Sequence, residues 1–99
     1  MNQGVLVMIT SPNIEELVID LLLEQQDISG FTSHLVNAHG TGTHQLSMLE
    51  QVSGRQQKVQ FMVYGTQSAL QMLIGLLKTT FENSGTRYIL LPATESGVI

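Results

Sequence analysis

The chain has 99 residues and a mass of 10.9 kDa, which is the size of one small domain. Its 42% hydrophobic content is too high for a disordered protein, and the lack of cysteine excludes a disulfide scaffold, a zinc ribbon and a thiol nucleophile. No apolar run approaches the roughly 20 residues of a membrane helix, and residues 1–4 lack the positive charge of a signal peptide. We therefore expect a cytoplasmic domain.

The first half of the chain predicts a strand followed by a helix. Residues 5–9 form a continuous apolar run, which is typical of a central strand buried on both faces. Ser11 and Pro12 favour a helix start, and we expect the helix to end near residue 25 or 26. Its buried face comprises Ile14, Leu17, Val18, Leu21 and Leu22.

The second half predicts three further strands and a second helix. We expect strands over residues 31–36, 59–64 and 88–91, with a short helical turn within residues 46–52. Gly65 and Thr66 should end the third strand and start the second helix, which the sequence Asn-Ser-Gly at residues 83–85 should stop. The buried stripe of this helix comprises Leu70, Leu73, Ile74, Leu77 and Phe81.

The element order is therefore βαββαβ within a single domain over residues 1–99. Right-handed crossovers place both helices on one face of a four-stranded antiparallel sheet, which is a ferredoxin-like α+β sandwich. A long loop separates the second and third strands, and loops of this length are usually functional or disordered. We expect residues 37–54 to be mobile in the absence of a ligand.

The first strand is apolar on both faces, although helices cover only one face of such a sheet. We assign Val5, Val7 and Ile9 to the helix side, which leaves Leu6 and Met8 on the open side. On the other strands, the open side would be extended by Met62, Tyr64 and either Tyr88 or Leu90. Such a surface predicts self-association through the sheet, and the alternative is one strand with a hydrophobic outer face.

Three histidines, at a spacing of five residues, suggest a candidate metal site. His34, His39 and His44 could hold zinc or copper, since neutral imidazole is a common ligand of both ions. The spacing matches no known metal motif, and the alternative is three ordinary polar residues.

Glycines in the same loop suggest a candidate anion site. Backbone amides at Gly40 and Gly42 could approach an anion, with Arg55 and the later Arg87 supplying positive charge. All four basic residues lie after residue 54 and the net charge is −4, so we do not expect nucleic acid binding. No hydrolase or metalloprotease motif occurs, and we expect no enzymatic activity.

Several segments resemble the PII-like signalling superfamily. The match covers nearly the whole chain and is carried by residues 30–34 (Gly-Phe-Thr-Ser-His), 37–40 (Asn-Ala-His-Gly), 49–55 (Leu-Glu-Gln-Val-Ser-Gly-Arg) and 88–95 (Tyr-Ile-Leu-Leu-Pro-Ala-Thr-Glu). The chain is most similar to short, uncharacterised PII-like proteins that often accompany heavy-metal efflux systems. The resemblance implies a homotrimer with inward-facing sheets, and a regulatory role in which the loop 37–54 contacts a protein partner, such as a membrane efflux system.

The chain departs from nitrogen-regulatory PII proteins at their ligand motifs. Residues 38–44 lack the glutamine and flanking bases that help hold magnesium and 2-oxoglutarate, and residues 94–99 replace a basic tail. These departures argue against nucleotide binding in the PII manner and favour a link to metal homeostasis. Two alternatives stay open, namely a cation-binding module resembling the divalent-cation tolerance proteins and a purely structural trimer.

Overall fold

A computed structural model describes residues 2–40 and 56–99. The strands are β1 (Gln3–Thr10), β2 (Ile28–Ala38), β3 (Gln56–Thr66) and β4 (Arg87–Pro92). A 3₁₀ turn over Pro12–Ile14 precedes helix α1 (Glu15–Leu23), and helix α2 spans Gln67–Thr80. The expected helical turn within residues 46–52 and the mobility of residues 41–54 lie outside the described residues.

The four strands form one antiparallel sheet in the order β2-β3-β1-β4. This is the predicted ferredoxin-like arrangement, with β1 and β3 in the centre and β2 and β4 at the edges. The start of α2 also follows its sequence signal, whereas Ser11 and Pro12 begin the 3₁₀ turn before α1 and the Ser11 side chain makes no capping hydrogen bond. Thr66 caps α2 by accepting a hydrogen bond from the backbone N–H of Ala69 at 3.2 Å.

Strands β2 and β3 are longer than the predicted segments. Their pairing continues as far as Ala38 opposite Gln56, beyond the mixed polar sequence that suggested an earlier end. Polar residues are tolerated there because β2 is an edge strand and most of its side chains are exposed. A β-bulge near Gly30, whose φ is +156°, shifts the register at the start of the strand.

The face assignment for β1 was wrong. Leu6 and Met8 are 0% and 1% exposed and belong to the core beneath the helices. They lie opposite Val63 and Phe61, which share the same face because paired residues of neighbouring strands point to one side of a sheet. Val5, Val7 and Ile9 therefore lie on the open side. In a continuous apolar run, no alternation of apolar and polar residues indicates which side chains face the core.

The assignment for β4 also needs correction. Leu90 pairs with Leu6, and Tyr88 pairs with Met8, so both lie on the helix side. The residues of β4 that extend the open side are Ile89 and Leu91, which are 59% and 45% exposed. The conclusion that both faces of the sheet are apolar nevertheless holds for the described residues.

The core lies between the sheet and the two helices. Phe61 is fully buried at its centre, and its ring centroid lies 6.4 Å from that of Phe31. The helices contribute six buried residues to this core: Val18, Leu22, Leu70, Leu73, Ile74 and Leu77. Phe81, the last predicted member of the α2 stripe, is partly buried just beyond the end of the helix.

Candidate functional site

The side of the sheet that no helix covers, called the open face below, is apolar over most of its area. Pairing places side chains of β3, β1 and β4 in rows across this face. The apolar residues in these rows are Tyr64, Val5 and Leu91, then Met62, Val7 and Ile89, then Ile9. A contiguous patch of this kind on a small protein marks an interaction surface.

One end of the open face carries positive charge. Ile9 lies between Gln60 and Arg87, and Gln60 is paired in turn with His34 on β2. Lys58 lies on the same face one row further along β3. No acidic residue occurs among the described open-face positions, so nothing on this face neutralises Lys58 and Arg87. If another surface were buried against this end, an anion or an acidic side chain of the partner would be needed to compensate the two positive charges.

A groove of about 450 Å³ runs beside Arg87. It is lined by Val7, Ile9, Thr86, Arg87, Tyr88 and Ile89. The predicted anion ligand Arg87 therefore borders a cavity on the open face.

A second cavity, called the α2–β4 pocket below, has a volume of about 200 Å³. Its apolar wall comprises Met8, Ile74, Leu77, Phe81 and Tyr88, and its polar rim comprises Lys78, Glu82, Asn83, Ser84, Gly85 and Thr86. The geometry of the rim is fixed by local contacts. The ammonium group of Lys78 lies 5.2 Å from the centroid of the Tyr88 ring, and the hydroxyls of Ser84 and Thr86 are hydrogen bonded at 2.7 Å.

The turn between α2 and β4 explains how this rim forms. Asn83 has φ +63° and Gly85 has φ +79°, which are left-handed conformations that end the helix and reverse the chain. The predicted stop signal is therefore confirmed. Its additional role in building a pocket rim was missed, because the apolar wall is completed by Met8 of β1, which is distant in the sequence.

Four of the seven predicted site residues lie in the described part of the chain. His34 and Arg87 share one row but lie on the two edge strands, about 14 Å apart at three strand spacings. His39 and Gly40 follow β2 directly, and Gly40 has φ +87°. Gly42, His44 and Arg55 lie outside the described residues. Within residues 2–40 and 56–99, no three potential metal ligands come together.

The fold is shared with PII-like proteins and with a divalent-cation protein. A structure described as a duf3240 family protein from Shewanella baltica OS155 has a TM-score of 0.81 at 18% identity, covering 100% of this chain and 98% of that one. CPII from Thiomonas intermedia K12, a nitrogen regulatory PII-like protein bound to ADP, AMP and bicarbonate, has a TM-score of 0.72 at 14% identity, with the same coverage.

The divalent cation tolerance protein Cut A1 from Thermus thermophilus has a TM-score of 0.67 at 15% identity, covering 98% of this chain and 88% of that one. These identities are low, so the similarities establish the fold alone. No curated protein matches the sequence. In the described part of the chain, neither helix is long and apolar enough to cross a membrane. A family model described as "Protein of unknown function (DUF3240)" matches residues 1–99.

Proposed function

This chain belongs to the DUF3240 family, and on that premise we propose that it is a homotrimeric, PII-like regulatory protein of the cytoplasm without enzymatic activity. The observation that supports this proposal is the open face. Val7 and Met62 lie at its centre beside Ile89, which is 59% exposed in the isolated chain. Three copies that turn these faces inward would remove the apolar surface from water, which favours association.

The charged end of the open face supports a role in binding a small anion. Assembly would bring Lys58 and Arg87 of each copy toward a shared interior in which the described residues supply no acid. Binding an anion would offset the cost of burying these charges. CPII, which shares the fold, is described with two nucleotides and bicarbonate. The anion ligands that we propose are Arg87 of one copy, together with Arg55 and the backbone at Gly40 and Gly42 of another copy, because β4 and the end of β2 lie at opposite edges of the sheet within one copy.

The hairpin of β2 and β3 supports a contact with a protein partner. Leu35 lies on the helix side of β2 but is 65% exposed, so the helices do not cover this end of the sheet. The described residues accordingly extend over 46 × 28 × 18 Å. We propose that residues 37–54, which include the end of β2 and precede β3 in the sequence, carry the regulatory contact. A membrane efflux system as the partner stays a prediction.

A cation-binding module is the second candidate function, and the position of two histidines favours it. His34 is exposed on the open face of β2, and His39 follows the same strand. The Cut A1 protein that shares this fold is named for divalent cation tolerance. In this alternative, zinc or copper would take the place of the anion, with His44 as a third ligand.

The molar mass and the response to a charge on the open face test the assembly. We expect light scattering to give three times the chain mass of 10.9 kDa. Ile89→Lys should give a folded monomer, because the added charge has no acid to pair with on the described open face. Thr79→Lys, at an exposed position of α2, is the control and should stay trimeric. A monomeric wild-type protein at micromolar concentration would refute the trimer.

Calorimetry distinguishes the ligands. We expect heat of binding with bicarbonate for the wild type, and a loss of at least tenfold in affinity for Arg87→Ala. ADP and AMP are the comparison ligands, and we expect neither to bind in the PII manner because residues 38–44 lack the PII ligand motif. Binding of zinc or copper without any response to the three anions would favour the second candidate. Absence of binding to both classes would leave a structural trimer.

A further inference from the structure

The two bases of the open face, Lys58 and Arg87, both lie near the end of β1. Arg87 is paired with Ile9, the last residue but one of β1, and Lys58 adjoins Val59, which is paired with Thr10. Lys58 is half-buried even in the isolated chain, whereas Arg87 is exposed. Neither base forms an ion pair with a residue of the described ranges. Among the described residues, these two charges therefore have no counter-charge.

Within one copy, the two bases are poorly placed to share a small anion. Arg87 lies two strand spacings from Gln60, and Lys58 lies two residues along β3 from Gln60, which places the Cα atoms of the two bases about 12 Å apart. The apolar Ile9 lies between them. An anion shared by both would require the two long side chains to stretch toward each other across the sheet, so one copy offers a small anion a single charged ligand.

A closed ring of copies would bring bases of different copies together. When three identical copies form a ring, each contact joins two different surfaces of the chain. Arg87 lies on the edge strand β4, whereas Lys58 lies on β3 beside the opposite edge strand β2. A contact between the β4 side of one copy and the β2–β3 side of the next would therefore bring Arg87 of the first toward Lys58 of the second. Two positive charges that are buried side by side oppose this contact unless an anion joins them.

We propose that a small oxyanion binds between Arg87 of one copy and Lys58 of the next copy, and that its binding drives assembly. This inference rests on the proposed trimer and deepens its anion-binding role, because the site is complete only between copies. Guanidinium and ammonium groups both donate charge-assisted hydrogen bonds to oxyanions, and a guanidinium can donate two in parallel. The groove of about 450 Å³ beside Arg87 leaves room for such an ion.

Anion binding and assembly are then coupled in both directions. An anion that binds the trimer but not the single chain stabilises the trimer by mass action. Three equivalent contacts between copies would take up three anions. Below saturation, a tenfold rise in anion concentration should then lower the protein concentration at half-assembly about thirtyfold, or about threefold if the trimer takes up a single anion.

Light scattering over a dilution series measures this coupling. Inorganic phosphate is the probe, and it replaces chloride at constant ionic strength so that general screening does not change. We expect the wild type to reach half-assembly at a lower protein concentration in phosphate. In Lys58→Gln/Arg87→Gln the two buffers should agree within twofold, and assembly in chloride should need less protein than for the wild type. The control Lys78→Gln removes a base of α2 and should keep the wild-type response.

The outcomes separate this inference from the trimer itself. A wild type that is monomeric in both buffers at micromolar concentration overturns both. A trimer whose half-assembly concentration differs less than twofold between the buffers overturns the anion coupling and leaves the trimer standing. Equal shifts in the wild type and the double variant overturn the assignment to these two bases, because phosphate also strengthens apolar burial in general. If the wild type stays trimeric at the lowest measurable concentration, the melting temperatures in the two buffers are compared in the same way.

Discussion

Adjacent residues of β1 should give opposite results when each is replaced by lysine. Met8 is 1% exposed in the core, whereas Val7 is half-buried on the open face. Methionine and lysine are both long and unbranched, so Met8→Lys changes charge more than size. The variant Val7→Lys places the same charge one residue away, where an isolated subunit leaves it near water.

The expected cost of Met8→Lys is comparable to the stability of the whole domain. Loss of a buried methionine costs about 1.5–3 kcal/mol, and an unpaired charge in the core adds roughly 3–5 kcal/mol. A domain of this size is stable by about 5–15 kcal/mol. We therefore expect Met8→Lys to be unfolded or close to it, whereas Val7→Lys should fold as a monomer.

Circular dichroism and light scattering on both variants decide the question. Folded Val7→Lys at the mass of one chain, together with unfolded Met8→Lys, would agree with the register in which Met8 faces Phe61. A folded, monomeric Met8→Lys with an unfolded Val7→Lys would show that the faces are reversed. If Val7→Lys still formed a trimer, the open face would not be the interface between copies.

Three further predictions concern a close approach, a helix cap and a metal. Gly4→Ala should destabilise the protein by about 1–3 kcal/mol in urea denaturation, because a Cβ there would lie 2.8 Å from the carbonyl oxygen of Leu91. Thr66→Ala should cost about 1 kcal/mol by removing the α2 cap, whereas Thr66→Ser should retain most of it. Zinc or copper binding, measured by calorimetry, should weaken as the pH falls, because an imidazole must be neutral to bind a metal, and should be lost in His39→Ala/His44→Ala without loss of the trimer. Equal metal uptake by that variant and the wild type would exclude the histidine site.

The sequence predicted most of the fold because its signals were local. Helix α2 has a regular stripe, a Thr66 cap and a glycine-containing stop, and all three agree with the structure. The assignment of Met62 and Tyr64 to the open side of β3 was also correct, because they alternate with Val59, Phe61 and Val63, which are fully buried. These elements were predictable because each pattern distinguishes one side from the other.

The faces of β1 and β4 were not predictable by the same means. Every residue from Val5 to Ile9 is apolar, so only pairing with β3 shows which residues reach the core. The α2–β4 pocket depends on Met8 and Tyr88, which lie near opposite ends of the chain, and no local pattern connects them. Among the predicted metal and anion residues that the structure describes, only His34 and Arg87 share a row of the open face.

The short edge strand β4 bears on the form that the proposed assembly would take. An exposed edge with apolar residues can pair with other chains and aggregate, and proteins usually protect such an edge with charge, proline or a covering segment. Here Ile89 and Leu91 are exposed on β4, Pro92 protects only its end, and charged residues make up 12% of the chain. Closure into a ring would cover these residues in every copy, whereas an open chain of copies would leave one set exposed at its end. The need to cover the exposed apolar residues of the sheet, which predicts self-association, therefore also favours a closed assembly over a filament.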